Sequence, residues 1–366
     1  MKKNLIVGQS GGPTAVINGS LYGVVTEAMR HTEEIDEIYG MINGIEGFLN
    51  GHMMDMRSLI ETNELSLLRT TPGSYLGSCR YKLPEDLNDP VYPLLFNKFT
   101  SHGIGYFFYI GGNDSMDTVS KLSRYAKKIN SDIRFIGVPK TIDNDIWGTD
   151  MTFGFQSALE IATNAIDCIH TTAASHGRVF IVEIMGHKVG SLTLNAGVAG
   201  GADVILIPEI PYDINKVVEA IQKRNKAGKR FTILAVAEGA ISKEDAELPK
   251  KKYKEKLAER AKKYPSVSYE IADQIQQVTG SEVRITVPGH MQRGGEPCAY
   301  DRVLSTRIGA GAAQAIMDEE YGVMIGVING KIKRVPLAEC AGKLKMVSPK
   351  DQLVKAAKQI GISFGD

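Results

Sequence analysis

Short runs rich in Val, Ile and Phe recur along this chain, each closed by glycine or a polar residue and followed by a stretch of helical period. That alternation is the strongest constraint on its fold. At least seven such runs stand out, at residues 5–7, 105–110, 135–138, 179–184, 204–207, 233–236 and 283–287. Their nearly continuous apolar character marks strands buried on both faces, as in parallel sheets covered by helices. Helical period is clear over 157–169, 214–227 and 303–317. The expected class is therefore α/β. Two β-like runs within 323–333 are joined by Asn329-Gly330, which predicts a type I′ hairpin added to the parallel framework.

At 366 residues the chain is long enough for two domains with separate cores. A formal net charge of +1 calls for neither nucleic acid nor an anionic membrane as partner, so any polyanion specificity must reside in local clusters. Cys79, Cys168, Cys298 and Cys340 form no Cys-x-x-Cys pair, which points away from a zinc site or disulfide framework and toward a reducing cytoplasm. No run approaches 18 uninterrupted apolar residues, and the apolar run after Lys2-Lys3 is too short for a signal peptide; a soluble protein is expected. Residues 250–263 hold eight Lys or Arg against two Glu at helical spacing between Pro249 and Pro265, and are read as a solvated surface helix.

In open α/β sheets, ligands bind beyond the carboxyl ends of the strands, where loops and helix N-termini offer backbone N–H groups to anions. One loop, Gly8-Gln9-Ser10-Gly11-Gly12-Pro13-Thr14, follows the first strand, and adjacent glycines let its backbone approach a phosphate closely. Another, Gly111-Gly112-Asn113-Asp114-Ser115, ends a strand and opens a helix with Ser115 as its expected N-cap. After 283–287 comes Pro288-Gly289-His290-Met291-Gln292-Arg293-Gly294-Gly295, where a guanidinium and an imidazole beside glycines suit a sugar phosphate. Arg178 and Arg284 stand at or inside strand runs, which fits an anion, an interface or a structural ion pair. Neither Gly-x-x-x-x-Gly-Lys-Ser/Thr nor a Gly-x-Gly-x-x-Gly after the first strand occurs, which weakens P-loop kinase and nicotinamide dehydrogenase readings.

The densest chemistry lies in Gly137-Val138-Pro139-Lys140-Thr141-Ile142-Asp143-Asn144-Asp145. A carboxylate can take the proton of an attacking alcohol and a lysine can neutralise a departing phosphate, so the stretch suits phosphoryl transfer.

Taken in order, Gly11-Gly12, Tyr75-Leu76-Gly77-Ser78-Cys79-Arg80, Gly111 to Ser115, Pro139 to Asp145, Met185-Gly186-His187, Glu238-Gly239 and Gly289 to Gly295 resemble the phosphofructokinase family, with the match running to at least Arg307. The resemblance implies two Rossmann-like three-layer αβα domains with a cleft between them. A larger phosphoryl-donor domain is expected over 1–154 plus 292–342, and a smaller sugar-phosphate domain over 155–291 plus 343–366. ATP-using members look like Gly-Gly-Asp-Gly-Ser and Pro-Gly-Thr-Ile-Asp-Asn-Asp; this chain has Asp114 and Lys140 at the two variable glycine positions. Asp114 would sit where a nucleotide α-phosphate lies, and two like charges at about 4 Å in an effective dielectric of ~20 repel by roughly 4 kcal/mol. Lys140 would add positive charge for pyrophosphate, which has no nucleoside to contribute binding. The pair resembles pyrophosphate-dependent members.

The implied reaction is reversible, Mg²⁺-dependent transfer from pyrophosphate to the 1-hydroxyl of fructose 6-phosphate, in glycolysis or gluconeogenesis. Asp143, Lys140 and Asp114 are the implied catalytic group, with Asp143 as general base. Gly12, Arg80, Asn113, Asp114, Ser115 and Lys140 would bind the donor, and Asn113 stands where many relatives have the metal-binding Asp. Thr141, Ile142, Asp143, Met185, Gly186, His187 and Glu238 would line the sugar; Arg178, Arg284, His290, Met291, Gln292 and Arg293 would complete the sugar-phosphate site. Counterparts of Arg178 and Arg284 come from a neighbouring subunit in the family, which implies a homodimer or homotetramer with shared active sites. The alternatives are an ATP-dependent enzyme, a noncatalytic sugar-phosphate sensor, and the same chemistry on sedoheptulose 7-phosphate.

Overall fold

The computed structural model describes residues 2–366, and the chain forms two compact units, changing unit after Ser157, Gln292 and Lys345. The first contains strands β1 (Lys3–Gln9), β2 (Ile35–Met41), β3 (Met53–Asp55), β4 (Ile104–Gly111), β5 (Arg134–Thr141) and β6 (Phe153–Gly154). The second contains β7 (Val179–Ile184), β8 (Val204–Leu206), β9 (Thr232–Ala237) and β10 (Val283–Thr286), after which β11 (Val323–Ile328) and β12 (Lys331–Pro336) belong again to the first. The first sheet runs β12-β11-β5-β4-β1-β2-β3 with β6 beside β5; the second runs β10-β7-β9-β8 and is parallel throughout. The α/β architecture expected from the sequence is what the chain adopts.

Side chains alternate across each strand, and in the first unit that alternation produces two cores. Leu5, Val7, Phe108, Ile110, Ile136 and Val138 join Ile17, Leu21, Leu304 and Ile308 from the helices Ile17–Ala28 and Ala299–Met317. On the opposite face, Ile6, Phe107, Tyr109 and Phe135 join Leu95, Phe99, Met116 and Leu122 from the helices Val91–Ser101 and Asn113–Lys128. The aromatic rings interlock there, with Phe99, Phe107 and Phe135 at centroid separations of 5.5 and 5.3 Å in turn. In the second unit Val179, Ile181, Leu234 and Val236 pack against the helices Ile214–Lys226 and Val267–Thr279.

The hairpin forms as predicted, with Asn329 and Gly330 both left-handed at φ of 51° and 73°. Strand β2 escapes the pattern because the polar pair Asp36-Glu37 interrupts its apolar run. The lysine-rich helix Lys250–Lys263 buries none of its own residues, yet Lys256 and Arg260 close on Asp245, whose side chain is 1% exposed. That helix is therefore anchored by ion pairs to a buried carboxylate.

The helices Ile17–Ala28 and Ala299–Met317 cross so closely that a Cβ on Gly309 would lie 2.2 Å from the Ser20 carbonyl oxygen. The atoms it would meet, in the Ser20 carbonyl and at the Val24 nitrogen, are backbone, which cannot rotate away. Gly309→Ala should destabilise the protein by about 3 kcal/mol through overpacking, read as a lower urea midpoint at unchanged slope.

Candidate active site

The register of the first sheet brings three phosphate-type loops together. Gln9 pairs with Ile110 across β1 and β4, and Gly111 pairs with Pro139 across β4 and β5. The carboxyl ends of these strands therefore lie side by side, and Ser10-Gly11-Gly12, Gly112 to Ser115 and Lys140 to Asp145 emerge at one edge. Ser115 Oγ donates to Ser10 Oγ at 2.9 Å, Ser78 Oγ donates to the Gly11 carbonyl at 2.6 Å, and the Gly11 N–H donates to the Cys79 carbonyl at 3.0 Å. These bonds fix the glycine loop. Gly11 is left-handed at φ 77°, and a Cβ on Gly12 would meet the Arg293 guanidinium carbon at 3.0 Å.

The Lys140 ammonium donates to the Gly12 carbonyl and is 3% exposed. Burial holds its pKa down to about 7, assisted by Arg293 and Arg80, while Asp143 and Asp145 pull the other way. Burial is the leading cause, and two cations and two carboxylates act on the ammonium in opposite directions. A polyanion bound beside Lys140, Arg293 and Arg80 would favour the charged ammonium.

Asp143 and Asp145 flank Asn144, which is left-handed at φ 50°. The Asp143 N–H donates to Thr141 Oγ1 at 3.0 Å, and Asn144 Oδ1 accepts the Thr152 N–H at 3.1 Å. The turn thus presents its two carboxyl groups on either side of a pinned residue. Burial raises the Asp145 pKa, and its Oδ1 is buried without a hydrogen-bond partner. Asn113, at the start of its helix, and Thr141 favour the ionised form of Asp145.

A hard cation fits that orphaned oxygen. Among the described residues no group of three or more His, Cys, Asp or Glu side chains could hold a metal ion. Magnesium uses few protein ligands, keeping waters and taking phosphate oxygens, so an Asn113 and Asp145 pair suits it.

In the second unit, the Met185 N–H donates to Gln292 Oε1 at 3.2 Å and the Gly186 N–H to Glu238 Oε1 at 3.4 Å. Gly186, at φ 138°, takes a backbone conformation that other residues rarely adopt. Met185, Gly186, Glu238 and Gln292 are thereby brought together beyond the carboxyl ends of β7 and β9, with His187 exposed beside them. His290 and Met291 share the short helix Gly289–Arg293 with Gln292. Arg178 and Arg284 lie elsewhere, both paired with Glu282. Arg178 precedes β7 and Met185 follows it, a separation of roughly 20 Å at ~3.3 Å per residue. One chain does not bring Arg178 to its own Met185 loop.

Three sequence-based expectations meet a different local structure. Ser115 is not an N-cap, because the helix begins at Asn113 after an extended Gly112 and the hydroxyl is spent on Ser10. Asp114 is exposed and paired with Lys82 at 2.9 Å, so solvent and that cation screen the repulsion to well below the sequence-based figure. Arg293, grouped in the sequence with His290, stands against Gly12 in the glycine loop. The sequence does not by itself mark Ser10, Ser78, Lys82 or Thr152 as site residues. Ser10 and Ser78 lay inside motifs already quoted; Lys82 and Thr152 carry no local signal, because their partners are 32 and 8 residues away by number.

This constellation of glycine loops, buried lysine and paired carboxylates at the edge of a mostly parallel sheet packed by helices on both faces defines a phosphoryl-transfer protein class. The phosphofructokinase family model matches residues 4–316, and the chain belongs to that family. It is 40% identical over 366 residues to an ATP-dependent 6-phosphofructokinase of Spirochaeta thermophila, covering 98% of this chain and 96% of that one. It is also 40% identical to ATP-dependent 6-phosphofructokinase 3 of Bacteroides thetaiotaomicron, covering 97% and 98%. Among solved structures, the pyrophosphate-dependent phosphofructokinase of Nitrosospira multiformis superposes with a TM-score of 0.83 at 28% identity, covering 100% of this chain and 93% of that one. No helix among the described residues is long and apolar enough to cross a membrane.

Proposed function

We propose that the protein transfers a phosphoryl group from pyrophosphate to the 1-hydroxyl of fructose 6-phosphate, giving fructose 1,6-bisphosphate and orthophosphate. The observation that carries this reading is Lys140, a buried ammonium held near neutrality among Arg293 and Arg80 and bonded to the Gly12 carbonyl. Gly12, Asn113, Lys140, Arg80 and Arg293 would hold the donor. Asp143 would accept the hydroxyl proton as the oxygen attacks the terminal phosphorus, and return it in the reverse direction. Lys140 would meet the charge on the departing orthophosphate. Magnesium, held by Asn113 and Asp145 with donor oxygens, would neutralise charge on the phosphates. Met185, Gly186, Glu238 and Gln292 would hold the sugar, with Arg178 and Arg284 serving a partner subunit's site in a homo-oligomer.

ATP as donor is a second reading, favoured by the names of the relatives that are 40% identical and by the ion pair that partly neutralises Asp114. Initial rates with fructose 6-phosphate and Mg²⁺ distinguish the two. Expected is a kcat/KM for pyrophosphate at least about 100-fold above that for ATP, equivalent to ~2.7 kcal/mol of differential transition-state binding. A preference for ATP would overturn the donor assignment.

A further inference from the structure

The segment that follows β12 reaches back to the turn carrying Asp143 and Asp145. Leu344 forms an antiparallel bridge with Ile146, and the Lys345 N–H donates to the Asp145 carbonyl at 2.9 Å. The Lys345 ammonium then donates to Asn144 Oδ1 at 2.8 Å and to the Thr149 and Asp150 carbonyls at 2.9 Å each. An ammonium has three N–H donors and no acceptor, so these bonds use it fully.

Asn144 is the residue such an anchor would serve. A non-glycine residue in the left-handed region is uncommon and is held there by its surroundings. Its side chain supplies that hold: Oδ1 accepts from Lys345 and from the Thr152 N–H, while Nδ2 donates to the Asp150 carbonyl at 3.3 Å. Without the ammonium, two main-chain carbonyls and an amide oxygen lose their common partner. Lys345 lies beyond residue 316, where the match to the family model ends.

We propose that Lys345 is a positioning residue, locking the Asp143-Asn144-Asp145 turn in the geometry that phosphoryl transfer needs. This rests on the function proposed above. A misplacement of about 1 Å in a reacting group can cost ~100-fold in rate, so Lys345→Ala should lower kcat by roughly that factor. The Michaelis constants for donor and sugar phosphate should change by less than about threefold, since most of the groups assigned to binding them lie outside the 143–145 turn and keep their contacts. Ethylammonium, which can enter the emptied three-oxygen site, should restore about tenfold of the loss in the variant and leave the wild type unchanged. A kcat within about twofold of wild type, a loss confined to KM, or a loss without response to ethylammonium overturns the proposal. If Lys345→Ala does not fold cooperatively, Lys345→Met, which nearly keeps the length but has neither charge nor donor, is judged by the same kcat and KM criteria. Native-state hydrogen exchange over residues 143–152 gives a reading independent of turnover. It should accelerate at least about tenfold in the variant, and unchanged exchange counts against Lys345. Absence of turnover in the wild type would refute the function and leave this last measurement to decide the positioning role.

Discussion

Asp143→Asn should lower kcat by on the order of 10³-fold while the enzyme still binds both substrates, because the amide is nearly isosteric but cannot accept the hydroxyl proton. The Asp143 N–H bond to Thr141 Oγ1 is made by the main chain and survives the change. Loss of kcat with little change in KM is therefore the expected split, measured in both reaction directions. Full retention of kcat would exclude Asp143 as the base. It would also make a noncatalytic, sensing role untenable, since turnover would then have to come from another group.

The second large effect concerns Lys140 and pH. Its pKa of about 7 in the free protein means that the ammonium is lost as pH rises through neutrality. A polyanion favours the charged form and lifts that pKa, so donor binding should take up a proton above pH ~7. Affinity for magnesium pyrophosphate should fall about tenfold per pH unit above that point, until the pKa of the bound state is reached. Isothermal titration in buffers of different ionisation enthalpy measures the uptake directly. Lys140→Met should abolish it, flatten the pH profile and reduce turnover by about 100-fold. Binding without proton uptake in the wild type would contradict the assignment. The sign for stability follows from the same shift. An unfolded lysine titrates near 10.4, so between ~7 and ~10.4 the unfolded chain holds more protons, and the donor-free protein gains stability as pH rises through that window.

Much of the fold was legible because its signals are local. The expected strands at 5–7, 105–110 and 135–138 are the apolar centres of β1, β4 and β5, and Asn329-Gly330 specifies its hairpin through two adjacent left-handed residues. β2 was illegible because Asp36 and Glu37 break its run, although parallel pairing with β1 holds it in the sheet. The class of chemistry was legible for the same reason: glycines, Lys140 and the Asp143 to Asp145 carboxylates are contiguous motifs that β1, β4 and β5 bring to one edge.

What the sequence determined by itself, then, is the alternation that makes a layered α/β protein, the family, and the residue types that phosphoryl transfer needs. Only the tertiary structure decided their partners. It paired Asp114 with Lys82, seated Arg293 against Gly12 and buried Lys140 among cations. It also left one Asp145 oxygen unpartnered and carried Lys345 about 200 residues back to Asn144. The reason is physical: periodicity and turn chemistry act over a few residues, whereas charge, burial and hydrogen bonding depend on which distant segments the sheet register makes neighbours.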